Sequence, residues 1–260
     1  LLALTAPRVH AANALYYRKV GLDADLTRRT QDALIQALQG NKQLTRDELR
    51  DVLAAAGIDG SVDLRMVYIL MRAELDGVIC SGARRGKQFT YALLDERVAP
   101  MPHVSREEAL VELTRRYFLS RGPATEHDFA KWSGLTVADA RRGLEEARSH
   151  LHPEVIGGMK YWLPASSLPP SRPGPTAHLL SIYDEYVSGY KDRSAIVEVQ
   201  DGTKLIAMGN DLTAIVLVNG HIAGTWKRTL TKRAAVIKTD LFRTLAESEY
   251  EALASAANRY

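Results

Sequence analysis

Thirteen residues past the middle of the chain, Leu163-Pro-Ala-Ser-Ser-Leu-Pro-Pro-Ser-Arg-Pro-Gly-Pro175, hold five of its 10 prolines. A segment this rich in proline cannot be helix interior or central strand, because each ring fixes φ and removes a backbone donor. It therefore divides the 260 residues into a helical part before it and a β-rich part after it.

The helical part shows one plan twice. In the first copy, Leu1 to Tyr17 predicts a helix interrupted at Pro7. Leu26 to Leu38 predicts a second, with Leu26, Ala33, Leu34, Ala37 and Leu38 at three-to-four spacing and Gly40 as its stop. Thr45-Arg-Asp-Glu48 is a capping box that opens the next helix. A further helix from about Ser61 carries an apolar stripe of Leu64, Val67, Leu70, Met71 and Leu75. Val78-Ile79-Cys80 and Phe89 to Leu94 then predict a strand pair around Ser81 to Lys87. The second copy runs from Ser105-Arg-Glu-Glu108, another capping box. Thr125 and Thr136 follow as N-caps, and the tight hairpin Val155-Ile156, Gly157-Gly158, Met159 to Leu163 closes it. Helix, helix, helix, hairpin is the order of a winged helix, and its repetition strengthens the reading.

Beyond the prolines, Ala177 to Tyr183, Ala195 to Val199, Ala214 to Val218 and His221 to Arg228 read as strands or apolar runs, and Ala234 to Ile237 with Leu241-Phe242 as one more strand. Asn219-Gly220 supplies a strong type I′ turn signal. Ser248 to Arg259 reads as a closing amphipathic helix. The expected fold class is α+β: tandem winged-helix units, then a small antiparallel β-barrel or sheet and a closing helix. The expected segments are 1–99, a connecting helix plus winged helix; 100–165, a winged helix; 166–175, a linker; and 176–260, barrel-like.

Composition excludes several functions. The single cysteine, Cys80, permits neither an intrachain disulfide nor a cysteine-based zinc site, which fits a cytoplasmic setting. No apolar run reaches membrane-spanning length, and no charged segment precedes a greasy one as in a signal peptide. Gly-rich phosphate loops and G-x-S-x-G are absent. No cofactor or metal is expected. His150 and His152 read as surface residues; Cys80, Trp132, Trp162 and Trp226 read as core, with Trp226 also able to stack on a base.

The net charge of +3 is too mild to imply a nucleic-acid partner by itself. The cations are clustered, however. Arg84, Arg85 and Lys87 crowd the first hairpin, and Arg65 and Arg72 lie on the helix before it. Arg141 and Arg142 occupy the second unit. Lys227, Arg228, Lys232, Arg233 and Lys238 fall in a stretch without an acid from Val218 to Thr239. Phosphate neutralisation supplies most of the affinity for DNA, so double-stranded DNA is the expected partner, bound by a monomer. Tyr183 to Arg193 packs three tyrosines, three carboxylates, a lysine and an arginine into eleven positions. Tyr186, Tyr190 and Arg193 are candidate DNA contacts. Asp184 or Asp192 is a candidate general base, and a surface loop held by ion pairs is the plainer alternative. A non-catalytic regulator or protein-interaction module stays open, as many winged helices serve so.

Three segments carry a family resemblance: Arg121 to Arg141, Leu180 to Ser194 and Ile215 to Arg228. In that order and spacing they closely resemble the AlkZ-like winged-helix family, over essentially the whole chain. The resemblance implies tandem winged helices around a C-terminal β-barrel with a concave, positively charged DNA face. It also implies kinship with bacterial DNA glycosylases that hydrolyse N-glycosidic bonds of alkylated purines. Their chemistry is carried by two glutamines flanking one residue, or a glutamine and an aspartate. Gln31, Gln36, Gln39, Gln43, Gln88 and Gln200 form no such pattern. The expectation is a chain that starts, at Leu1, inside a longer reading frame, with no catalytic residue carried over and no activity of its own.

Overall fold

The computed structural model describes residues 1–60, 62–99, 104–165, 174–197, 214–231 and 234–259. They divide into two units, Leu1–Leu113 and Thr114–Tyr260. The first unit runs α1 (Leu2–Lys19), α2 (Ala24–Leu38), β1 (Leu44–Thr45), α3 (Arg46–Ala55), α4 (Asp63–Leu75), β2 (Ile79–Ser81), β3 (Thr90–Leu93) and the single-turn α5 (Leu94–Arg97). Pro7 does not interrupt α1 as expected. As the sixth residue of the helix it removes one N–H from the ladder, while its fixed φ stays compatible with a helix. Asp23 caps α2, accepting from Leu26 N at 2.8 Å. α3 opens on the expected reciprocal pair: Glu48 N donates to Thr45 Oγ1, and Thr45 N donates to the Glu48 carboxylate.

α4 turns inward a face that shares with the expected stripe only Leu70, which is buried, and Met71, which packs against the core. Leu64 and Val67 are exposed, whereas Met66, Ile69, Leu70 and Ala73 are buried. Both sets have helical spacing, and the buried set is the one that meets Leu34, Leu38, Leu49 and Leu53 of α2 and α3 and Tyr17, Val20 and Leu22 at the end of α1. The strands form an antiparallel sheet in the order β1-β3-β2, with Thr45 opposite Thr90 and Cys80 opposite Ala92. Cys80 is half-buried rather than core. Strand alternation puts Ile79 inside, so its neighbour faces away.

α6 (Arg106–Arg121) runs across the division, and only its last turns belong to the second unit. There follow α7 (Glu126–Ser133), α8 (Val137–Glu146), a 3₁₀ turn at Arg148–His150, β4 (Leu151–Ile156) and β5 (Met159–Pro164). Ser105 and Glu108 form the expected box at α6. Thr125 with Asp128, and Thr136 with Asp139, do the same at α7 and α8 with the shorter carboxylate. β4 and β5 pair along their whole length around Gly157-Gly158. Tyr117, Phe118 and Phe129 fill the interior, with ring centroids 5.0 to 5.7 Å apart.

The rest of the unit comprises β6 (Ala177–Leu180), α9 (Glu185–Ser188), β7 (Ile215–Val218), β8 (His221–Leu230), β9 (Ala235–Leu241) and α10 (Glu247–Asn258). Asn219 and Gly220 make the expected β7–β8 turn at φ of 51° and 82°, the positive values a type I′ turn demands. At Gly224 a Cβ would come within 2.3 Å of the Asp240 carbonyl, so only glycine lets β8 and β9 approach. β7 is buried on both faces, which explains its unbroken Ile-Val-Leu-Val run. Ile215 and Leu217 meet Ile222 and Val187. Val216 and Val218 meet Ala223, Trp226 and, from α10, Leu253 and Ala256.

Of the two expected forms, barrel or sheet, the described residues take the antiparallel sheet. The sheet is open in the order β6-β7-β8-β9, and among the described residues its edges β6 and β9 do not pair. Among the described residues the sheet has four strands, few for closure, and helical residues from α10 and α9 cover its two faces. The strand expected over Ala195 to Val199 is a turn at 195–197, with Ile196 N donating to Arg193 O. Its last two residues lie outside the described residues, as does most of the 166–175 linker. Among the described residues no helix is long and apolar enough to cross a membrane.

Candidate nucleic-acid interface

The cations predicted in the first unit separate into anchored and presented ones. Arg65 lies against α1, where its Nε donates to Val20 O at 2.8 Å and it also pairs with Asp59. Arg72 stacks over the Tyr17 ring at 5.1 Å and faces Asp76 at 3.6 Å. Both are therefore tied to the fold. What α4 turns outward at its start is Val62, Asp63, Leu64 and Val67, without a cation.

The β2–β3 hairpin is held rigidly. Arg85 donates to both Glu48 carboxylate oxygens, at 2.7 and 3.0 Å, and to Gln43 O at 2.6 Å. Ala83 N donates to Gln43 Oε1, and Thr90 Oγ1 to Ala83 O. Glu48 thus serves two tasks, the α3 cap and the hairpin, and those hydrogen bonds hold its carboxyl below the usual range. Arg85 is a structural strut, while Arg84 and Lys87 are exposed at the tip. Arg84 lies over the Phe89 ring at 4.4 Å. Phe89, read from sequence only as a strand residue, is 64% exposed.

In the second unit Arg141 is bound by Glu126, at 2.8 and 2.9 Å, and Arg142 is exposed on α8. The tyrosine- and carboxylate-rich segment forms a strap across α6 and α7. Arg121 pairs with Glu185 and stacks over Trp132 at 4.7 Å. That guanidinium holds the Glu185 carboxyl down. Tyr190 OH donates to Arg121 O at 2.8 Å and Tyr186 OH to Gly220 O at 3.1 Å. Lys131 Nζ donates to the Ser188 and Tyr190 carbonyls. Burial pushes the Tyr186 and Tyr190 hydroxyls up. Tyr183 is held at φ 60°, unusual for a bulky residue. Arg193 is half-buried in the 193–197 turn.

Both candidate bases are turn carboxylates. Asp184 Oδ1 accepts from Tyr186 N at 3.0 Å, and Asp192 Oδ1 from Ser194 N at 2.9 Å. The second contact lowers the Asp192 pKa, which makes it a weaker base near neutral pH. Asp192 does line a cavity of about 650 Å³ with Asp128, Trp162, Lys160 and Lys191. Trp162 is buried, and so is Trp226, whose N–H donates to Leu180 O at 2.8 Å. Trp132 is half-buried; His150 and His152 are exposed.

The sheet's far end projects as a two-stranded ribbon. Past Trp226, residues 227–230 of β8 are exposed, as is most of β9. Lys227 lies directly opposite Lys238, and Arg228 opposite Ile237. Like charges paired across strands disfavour the sheet by themselves, so this ribbon keeps its cations at some local cost. Lys232 and Arg233 lie outside the described residues.

Among the described residues this is an α+β scaffold that presents exposed cations on two antiparallel hairpins, Arg84 and Lys87 on one and Lys227 and Lys238 on the other. The family model described as DNA glycosylase AlkZ-like matches residues 1–260, and the chain belongs to the AlkZ-like DNA glycosylase family. The DNA glycosylase AlkZ of Streptomyces sahachiroi is similar in structure, with a TM-score of 0.71 over 99% of this chain and 73% of that one. At 21% identity this likeness concerns the fold alone. No curated protein sequence matches the chain.

Proposed function

We propose that this chain is a monomeric DNA-binding part of an AlkZ-like DNA glycosylase, built from winged-helix units at 1–99 and 100–165 and a β-rich segment at 176–260. Double-stranded DNA is gripped through Arg84 and Lys87 of the first hairpin and through the β8–β9 ribbon. The observation that carries this reading is the ribbon itself. Lys227 and Lys238 are exposed and opposed in a stretch with no acid from Val218 to Thr239. A two-stranded β-ribbon has the width of a DNA groove, and exposed cations there can meet phosphates. α4 contributes shape rather than charge, since Arg65 and Arg72 face the protein. The parent activity is hydrolysis of an N-glycosidic bond. The glutamine pair associated with it does not occur among the 260 residues, so no catalytic step is assigned to them.

Fluorescence anisotropy of a labelled duplex between 50 and 200 mM salt tests this. The expected log–log slope is about −0.9 per phosphate neutralised. A slope near zero, or no binding, refutes the reading. Release of a damaged base, lost in Asp184→Asn, would instead make this chain an enzyme. One observation favours a protein-interaction module: α4 exposes Val62, Leu64 and Val67. Retention of a protein partner through those residues, without DNA, would decide for it.

A further inference from the structure

The tip of the β2–β3 hairpin combines a large exposed ring with cations and a rigid base. Residues 85 and 88 close the tip, each N–H donating to the other's carbonyl at 3.1 Å. Arg84 and Phe89 flank this turn. The guanidinium covers one face of the ring at 4.4 Å, and 64% of Phe89 is open to solvent. Thr90, the next residue, is buried and donates to Ala83 O, and Arg85 is fixed to α3 through Glu48. The ring is thus presented outward by a braced hairpin, not left over from a failed core. An exposed phenylalanine is a poor phosphate ligand but a good stacking surface, because every nucleobase offers a π-face. Apolar rings at groove-reaching tips also act as wedges between base steps.

We propose that Phe89, backed by Arg84, is a stacking platform for the face of an unstacked nucleobase in DNA. It gives this hairpin a preference for duplexes with an opened base step. Lys87 supplies a neighbouring phosphate contact and no such preference. The proposal rests on the DNA-binding reading above and adds to it the feature that is recognised.

The test compares the 260-residue chain on two labelled duplexes of one sequence, one fully paired and one with a single abasic site. Stacking on one base is worth roughly 5- to 150-fold in affinity, so wild type is expected to bind the abasic duplex about tenfold more tightly. Phe89→Ala is expected to abolish that preference while leaving paired-duplex affinity and salt slope within about twofold. Phe89→Trp is expected to restore it. Lys87→Ala is expected to lower the salt slope by about 1 and keep the preference. The exposed ring takes no part in the buried core, so its removal leaves the fold intact, and circular dichroism checks this. Paired-duplex binding with no preference in wild type, or a preference unchanged in Phe89→Ala, overturns the platform alone. No binding to either duplex overturns the DNA-binding reading and the platform with it.

Discussion

Glu249 joins the sheet to the helix that covers it. Its carboxylate accepts from Arg243 at 2.8 and 3.0 Å, from Asn219 Nδ2 at 3.0 Å and from Ala246 N at 2.9 Å. These hydrogen bonds hold its pKa at about 2, against an ordinary 4.5. The folded state therefore favours the charged form. The stabilisation is complete above about pH 4.5 and is lost as pH falls towards 2. Urea midpoints measured over that window should fall more steeply in wild type than in Glu249→Gln, and the variant should be weaker at neutral pH. Parallel curves would show that Glu249 contributes nothing. The carboxylate's role was not legible in the sequence, because Asn219 lies 30 positions away. Phe89 is the converse case. Its neighbours Arg84 to Lys87 were legible as a basic tip, but strand alternation allows either Phe89 or Thr90 inside, and only the register with Thr45 buries Thr90.

Helix starts are the elements the sequence marks best, since a cap involves residues three apart. Thr45, Ser105, Thr125 and Thr136 all cap as predicted. At α7 the box does more than cap. Asp128 is buried and accepts from Thr125 N at 2.8 Å, from Thr125 Oγ1 at 2.7 Å and from Lys191 N at 2.6 Å. Removing it strands a helix start and a strap together. Asp128→Ala should cost about 2–4 kcal/mol in chemical denaturation, beyond the roughly 1 kcal/mol of an ordinary cap. A loss no larger than that would mean the strap does not depend on it. The inward face of α4 was less legible than its start. Two stripes of equal spacing compete there, and the one opposite α2 and α3 prevails.

At the scale of the molecule, the net charge of +3 conceals a division of labour among cations. Arg65, Arg72, Arg85, Arg121 and Arg141 hold the fold, while Lys227 and Lys238 stand out from it. Duplex binding should show this difference. Lys227→Ala with Lys238→Ala should flatten the salt slope by about 2 without lowering the melting temperature, because the opposed lysines repel one another. An unchanged slope would remove the ribbon from the interface. The sequence alone determined the parts whose causes are local: the helix starts with their caps and the Asn219-Gly220 hairpin. Only the tertiary structure decided that the C-terminal sheet stays open, which face of α4 is buried, and which arginines are struts. Those outcomes depend on partners tens of residues distant, and a cation's availability depends on whether a carboxylate or carbonyl arrives beside it.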